Sequence, residues 1–208
     1  METWEPTLDE ATARLRAMSH QGRVLVGIVG APGSGKSTYC QRLLEALPEE
    51  AAIAAMDGFH LDNPVLEALG SAGRKGAVDT FDVGGFVALL KRLRGDEPIV
   101  YGPRFDRTIE TSIGSAVPID HSKTIILVEG LYLLEQSNGW EQVQPELDAV
   151  WYLDVPNAER RRRLIRRRLA TGESEERATS WVVGVDEVNA ARVERQKERA
   201  DVLLRPRA

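Results

Sequence analysis

A single cysteine, Cys40, leaves this 208-residue chain without an internal disulfide or a cysteine-based zinc cluster. The histidines, His20, His60 and His121, are few and scattered, with no metal-ligand spacing. Lysine is scarce. Only Lys36, Lys75, Lys91, Lys123 and Lys197 stand among 27 basic residues, against 32 acidic ones. The resulting net charge of −5 argues against a broad nucleic-acid surface, which usually makes a domain basic. No apolar run approaches the roughly 20 residues needed to cross a bilayer. Met1–Glu5 lacks the basic start and apolar stretch of a signal peptide, so a cytoplasmic, reducing setting is expected. With 42 % hydrophobic residues, the chain can bury one sizeable core.

Apolar runs at Val24–Val29, Ala51–Met56, Thr124–Val128, Ala149–Leu153 and Val202–Leu204 alternate with helical stretches at Lys36–Leu47, Val83–Arg94, Pro156–Leu169 and about 174–198. Near-continuous Val, Ile and Leu suit strands buried on both faces. The expected fold is α/β and three-layered. It has a doubly wound, mostly parallel five-stranded sheet, helices on both faces and a small lid. Residues 1–208 read as one domain, with an N-terminal helix over 1–22 and a lid over 160–180. A short ribbon is expected from Ile99–Tyr101 and Val117–Ile119. Ligands in such sheets bind beyond the carboxyl ends of the strands. There the polar residues are Gly30 onward, Asp57, Glu129 and Asp154.

Gly30-Ala31-Pro32-Gly33-Ser34-Gly35-Lys36-Ser37 fits G-x-x-x-x-G-K-[ST] at every fixed position, between a buried strand and a helix. Glycines let successive N–H groups turn inward as an anion nest, and the helix beginning at Lys36 adds its positive end. Lys36 can reach the outer phosphates of a nucleoside triphosphate, and the Ser37 hydroxyl can ligate Mg²⁺. Thr38 is a further candidate at the α-phosphate, or simply a helix residue. Cys40, one turn on, reads as a small core residue.

Asp57 follows the second apolar run. A carboxylate there can orient an acceptor hydroxyl and take its proton, or can cap the turn before Gly58. His60 is a candidate substrate contact or a surface histidine. Glu129 closes Ile126-Leu127-Val128-Glu129-Gly130, the apolar-then-acid arrangement that holds Mg²⁺ through water.

Together these segments resemble the P-loop kinases that include uridine kinase, phosphoribulokinase and bacterial pantothenate kinase. The resemblance is carried by Asp57-Gly58-Phe59, Arg74-Lys75-Gly76, Asp79-Thr80-Phe81-Asp82, Pro103-Arg104-Phe105-Asp106-Arg107, Glu129-Gly130, Trp181, Asn189 and Ala200-Asp201-Val202. It runs from Val24 to Leu204. Within that group it resembles the bacterial subgroup labelled fructose transport system kinases. The resemblance implies Asp57 as base, with Lys75, Asp79 and Arg107 lining the acceptor pocket and Asp106 in support. It also implies a three-layer fold of the P-loop NTPase type, with ATP and Mg²⁺ as cofactors.

Seven arginines crowd positions 160–168. Leu164, Ile165 and Leu169 give this helix an apolar side, while Arg160, Arg163 and Arg167 share another face by i, i+3 and i+4 spacing. In the resembling kinases this helix enters a lid whose arginines meet the ATP phosphates, which marks Arg163 and Arg167 as candidates beside Lys36 and Asp57. The leading expectation is a kinase acting on a small hydroxyl acceptor, a sugar such as fructose, with pantothenate or uridine as alternatives. A GTPase switch needs an Asn-Lys-x-Asp tetrapeptide, which does not occur. An ATPase serving a partner, or a nucleotide-binding regulator, is the alternative class. Neither nucleic acid nor membrane is expected as a partner.

Overall fold

The computed structural model describes residues 1–207; Ala208, the end of the expected domain, lies outside the described residues. The chain opens on strand β1 (Glu2–Trp4) and helix α1 (Leu8–Met18), which starts at a reciprocal capping box between Thr7 and Glu10. Strand β2 (Val24–Val29), helix α2 (Lys36–Ala46) and strand β3 (Ala51–Ala55) follow. Helices α3 (Asn63–Ala68) and α4 (Val83–Arg94) precede an antiparallel pair, β4 (Ile99–Asp106) and β5 (Thr111–Asp120). The remaining elements are β6 (Ile125–Gly130), β7 (Ala149–Leu153), α5 (Asn157–Ala170), α6 (Glu175–Trp181), α7 (Glu187–Glu194) and β8 (Val202–Leu204).

The main sheet is parallel throughout, in the order β1-β8-β7-β2-β6-β3. Its central strand, β2, is buried at every position. Alternate side chains serve opposite faces. Leu25 and Val29 join a core with Phe86, Leu90 and Trp140, whereas Val26 and Ile28 join another with Leu15, Leu43 and Trp151. Helix α4 therefore covers one face, and α1 and α2 cover the other. Burying a side chain of this size contributes about 1.5–3 kcal/mol. Polar alternation would forfeit that on one face, so the strands read as continuous apolar runs.

Four expectations need correction. The sheet has six strands rather than five, and residues 1–22 are not all helix. Glu2–Trp4 adds a parallel edge strand on β8, fastened by Glu2 N–H to the Asp201 carbonyl and Arg205 N–H to the Trp4 carbonyl. Trp4 packs edge-on against Trp151 at 5.3 Å, so the strand depends on distant partners and has no apolar run of its own. The ribbon is far longer than expected. It spans Ile99–Asp106 and Thr111–Asp120, with a register shift between Gly102 and Arg104. The stretch about 174–198 is broken: α6 and α7 flank a π-helical turn, Val182–Asp186, which contains Gly184.

Candidate active site

The β2–α2 loop has the backbone that its glycines permit. Gly33 and Gly35 sit at φ 78° and 94°, where a Cβ is strained, and α2 begins directly after at Lys36. The Lys36 ammonium lies over the loop, 2.9 Å from the Gly30 carbonyl and 3.4 Å from that of Ala31. Burial lowers its pKa, and the charges of Glu129 and Asp57 oppose that shift. Ser34 Oγ is buried with no hydrogen-bond partner among the described residues. Thr38 is exposed on α2, and Cys40 is fully buried, as a core residue should be.

Sheet register brings the two acids together. Glu129 pairs with Ile28 on one side and with Ala55 on the other, so it stands beside the loop's root and two residues from Asp57. Ser37 Oγ donates to Glu129 Oε2 at 2.8 Å. Burial, and then repulsion from Asp57, raise the Glu129 pKa, against the pull of Lys36 and Ser37. Asp57 lies in the turn Met56–Phe59 rather than on β3 itself. Its Oδ2 accepts from Arg107 Nη2 at 2.7 Å, while Oδ1 has no partner among the described residues. The turn is pressed against β4. A Cβ on Gly58 would stand 2.6 Å from the Pro103 carbonyl oxygen.

The other pocket residues divide. Arg107, exposed, stacks near Phe105 and meets Asp57. His60 is wedged between Phe81 and Phe105, at 4.1 and 4.7 Å, with Nδ1 2.8 Å from the Asp57 carbonyl oxygen. Desolvation lowers its pKa, against the pull of Asp57, and the half-buried ring stands beside Asp57, one of the two placements expected for it. Lys75 is engaged elsewhere: Nζ donates to Asn63 Oδ1 and the Glu110 carbonyl, bracing the ribbon tip against α3. Asp79 is ion-paired with Arg74, farther along the same loop. Asp106 accepts from the Thr108 N–H and hydroxyl and so shapes the ribbon turn.

Of the arginine-rich helix, Arg163 reaches the loop, with Nη1 donating to the Ser34 carbonyl at 3.1 Å and Nε to Glu159. Arg167 makes no hydrogen bond among the described residues. Arg167 is exposed on α5, yet desolvation and then repulsion from Arg107 lower its pKa, against the pull of Asp186 and Asp57. Arg160 shares their face by sequence spacing but was not among the candidates. Only 3 % exposed, it donates to the Pro32 carbonyl at 2.8 Å and also binds Asn157 and Glu187. Its i, i+3, i+7 relation to Arg163 and Arg167 was the available signal.

The donor set fits a nucleoside triphosphate with Mg²⁺. A positively charged nest stands at a helix start, an orphaned hydroxyl lies within it, and a serine–carboxylate pair lies at its edge. Among the described residues no cluster of three or more His, Cys, Asp or Glu could hold a metal alone. Mg²⁺ commonly shares one or two protein ligands with substrate phosphates, so none is required. No helix is long and apolar enough to cross a membrane among the described residues.

No protein-family model matches the chain. A protein provisionally assigned as a uridine kinase in Schizosaccharomyces pombe is 32 % identical over 201 residues, covering 90 % of this chain and 85 % of the relative. The pantothenate kinase of Halalkalibacterium halodurans is 29 % identical over 129 residues, covering 58 % of this chain and 41 % of that enzyme. Among solved structures, a protein provisionally named a fructose transport system kinase from Silicibacter sp. TM1040 superposes with a TM-score of 0.85. It is 36 % identical, with 97 % of this chain and all of that one covered. On this likeness, and on the loop and acids just described, the chain belongs to the P-loop kinases that include uridine kinase and pantothenate kinase, phosphotransferases with an alcohol group as acceptor.

Proposed function

We propose that the protein is an ATP-dependent kinase that transfers the γ-phosphoryl group to a hydroxyl of a small molecule, a sugar such as fructose, with pantothenate or uridine as the alternative acceptors. One observation carries this reading: Lys36, the Ser37–Glu129 pair and Asp57 converge at the carboxyl ends of β2, β6 and β3. The backbone of residues 30–38 and Lys36 hold the phosphates. Asp57, steadied through Oδ2 by Arg107, turns its free Oδ1 to the acceptor. As the acceptor oxygen bonds to the γ-phosphorus, the bond to the β-bridging oxygen breaks, and the hydroxyl proton passes to Asp57. ADP leaves. Mg²⁺ held at Ser37 and Glu129 would neutralise charge on the phosphate oxygens when bound.

Arg163 and Arg167 stabilise the charge on the transferring group. Residues 160–180 act as the lid that excludes competing water. His60, Lys75, Asp79 and Arg107 shape the acceptor side, Lys75 and Asp79 by holding the loop rather than by direct reach. The whole of 1–207 serves as one kinase domain.

The test is phosphorylated product detected by mass from ATP and Mg²⁺ with fructose, pantothenate, uridine or ribulose 5-phosphate, beside Asp57→Asn. Product from one acceptor, lost in the variant, is the expected result. Hydrolysis that needs no acceptor and survives Asp57→Asn would overturn the reading.

A further inference from the structure

The π-helical turn Val182–Asp186 packs on α5 and is clamped to it at both ends. At one end the Arg168 guanidinium lies over the Trp181 ring at 4.5 Å. At the other, Glu187 accepts from Arg160 Nη2 at 3.3 Å and from Arg161 Nη2 at 2.6 Å. Asp186 lies between these clamps on the turn, and Arg167 lies between them on the helix.

Asp186 is 9 % exposed, and its Oδ2 is buried with no hydrogen-bond partner. The carboxylate forms no ion pair among the described residues. A buried carboxylate without donors destabilises a fold rather than supporting it, so packing gives no reason for an acid here. Turns of this π type frequently sit at functional sites.

Two arginines in the last turns of α5 can answer the carboxylate. Arg168 is already committed, with Nη1 donating to Glu173 at 2.7 Å and its face on Trp181, although its Nε is also unpartnered. Arg167 makes no hydrogen bond among the described residues. Asp186 is the leading attraction on Arg167, set against desolvation and the charge of Arg107. Burial raises the Asp186 pKa, and Arg168 and then Arg167 oppose that shift. Arg167 also stands one turn past Arg163, on the face from which Arg160 and Arg163 donate to the Pro32 and Ser34 carbonyls of the phosphate loop.

We propose that Asp186 is a positioning residue, whose carboxylate takes the Arg167 guanidinium and holds it toward the outer phosphates of the nucleotide when the lid closes. The planar guanidinium has donors for both: one edge binds the carboxylate and the other is left for phosphate oxygens. This rests on the kinase reading above, which puts Arg167 at the transferring group.

The test is calorimetric titration of the full chain, with Mg²⁺ present, by ADP and by the β,γ-imido analogue of ATP. Asp186→Asn keeps the size of the side chain and removes its charge. It is expected to cut the preference for the triphosphate about tenfold, and Arg167→Ala to cut it as much. The double variant is expected to lose no more than either single one, which couples the two residues. The unfolding midpoint of Asp186→Asn should be unmoved or raised. The proposal is overturned if that variant keeps the wild-type preference, if its loss adds to that of Arg167→Ala, or if the loss vanishes instead in an Arg168→Ala background. It is also overturned if the midpoint falls, since the carboxylate then supports the fold. Binding is read without an acceptor. Coupled loss in a protein that phosphorylates no acceptor therefore counts against the kinase reading alone, and uncoupled loss in an active kinase counts against Asp186 alone.

Discussion

Ser37 Oγ donates a 2.8 Å hydrogen bond to Glu129 Oε2 across 92 residues of sequence. The contact ties the first turn of α2 to the end of β6. It holds a hydroxyl and a carboxylate together at the mouth of the phosphate loop, as a shared Mg²⁺ partnership requires.

Glu129→Gln is expected to weaken Mg²⁺ dependence by about 10–100-fold, the usual cost of losing a partner that supports a metal's shell. Titration of activity against Mg²⁺ measures it. The same substitution is expected to raise the unfolding midpoint at neutral pH, because burial and then Asp57 disfavour the charged carboxyl that it removes.

Glu129 is also expected to give stability and activity opposite pH slopes in the wild-type protein. Its folded pKa lies above the ordinary 4.5, so the native state binds more protons than the unfolded chain from there up through the raised value. Its contribution to stability is fully present below 4.5 and declines as pH rises through that window. Activity, which needs the carboxylate, rises across the same window. A pH–rate profile beside thermal melts checks both, and Glu129→Gln should flatten the melt trend.

Asp57→Asn is expected to lower kcat by about 10²–10⁴ while ATP still binds, since general-base assistance is lost and the phosphate loop is untouched. Fluorescent nucleotide binding beside product assays separates the two. Arg107→Ala, which frees Asp57 Oδ2, should lower kcat less than this.

The arginines of α5 should sort by burial. Arg160→Ala is expected to cost about 2 kcal/mol of stability, because it strips buried partners from Pro32 and Asn157. Arg167→Ala should leave stability within about 0.5 kcal/mol yet lower kcat by roughly 10³ or more if its guanidinium meets the transferring phosphoryl group. Urea unfolding and steady-state kinetics on both variants test the division.

Gly58→Ala is expected to cost about 1–3 kcal/mol, because its Cβ would meet the Pro103 backbone at 2.6 Å and displace the Asp57 turn or β4. Activity should fall with stability, unlike in Asp57→Asn.

Much of the site was legible because its parts announce themselves locally. The phosphate loop is a contiguous pattern, and Asp57 and Glu129 follow apolar runs whose burial register then aligned them. The arginines were ambiguous for the opposite reason. Seven alike side chains on one helix differ only in what they face, and helical spacing cannot say that Arg160 is sealed against Pro32 while Arg162 is exposed. The edge strand Glu2–Trp4 was invisible because three mostly exposed residues carry no period.

The sequence alone determined the layered α/β plan, the phosphate loop and the two strand-end acids. These follow from nearest-neighbour chemistry: continuous apolar runs demand two-sided burial, and glycines at fixed spacing permit one backbone path. Only the tertiary structure decided the sixth strand, which arginines of α5 are buried and which exposed, and the pairing of Arg192 with Glu135. Each depends on groups 50 to 200 residues apart, such as Arg192 with Glu135 or Glu2 with Asp201, whose pairing is set by the packing of whole elements rather than by the chain on either side of them.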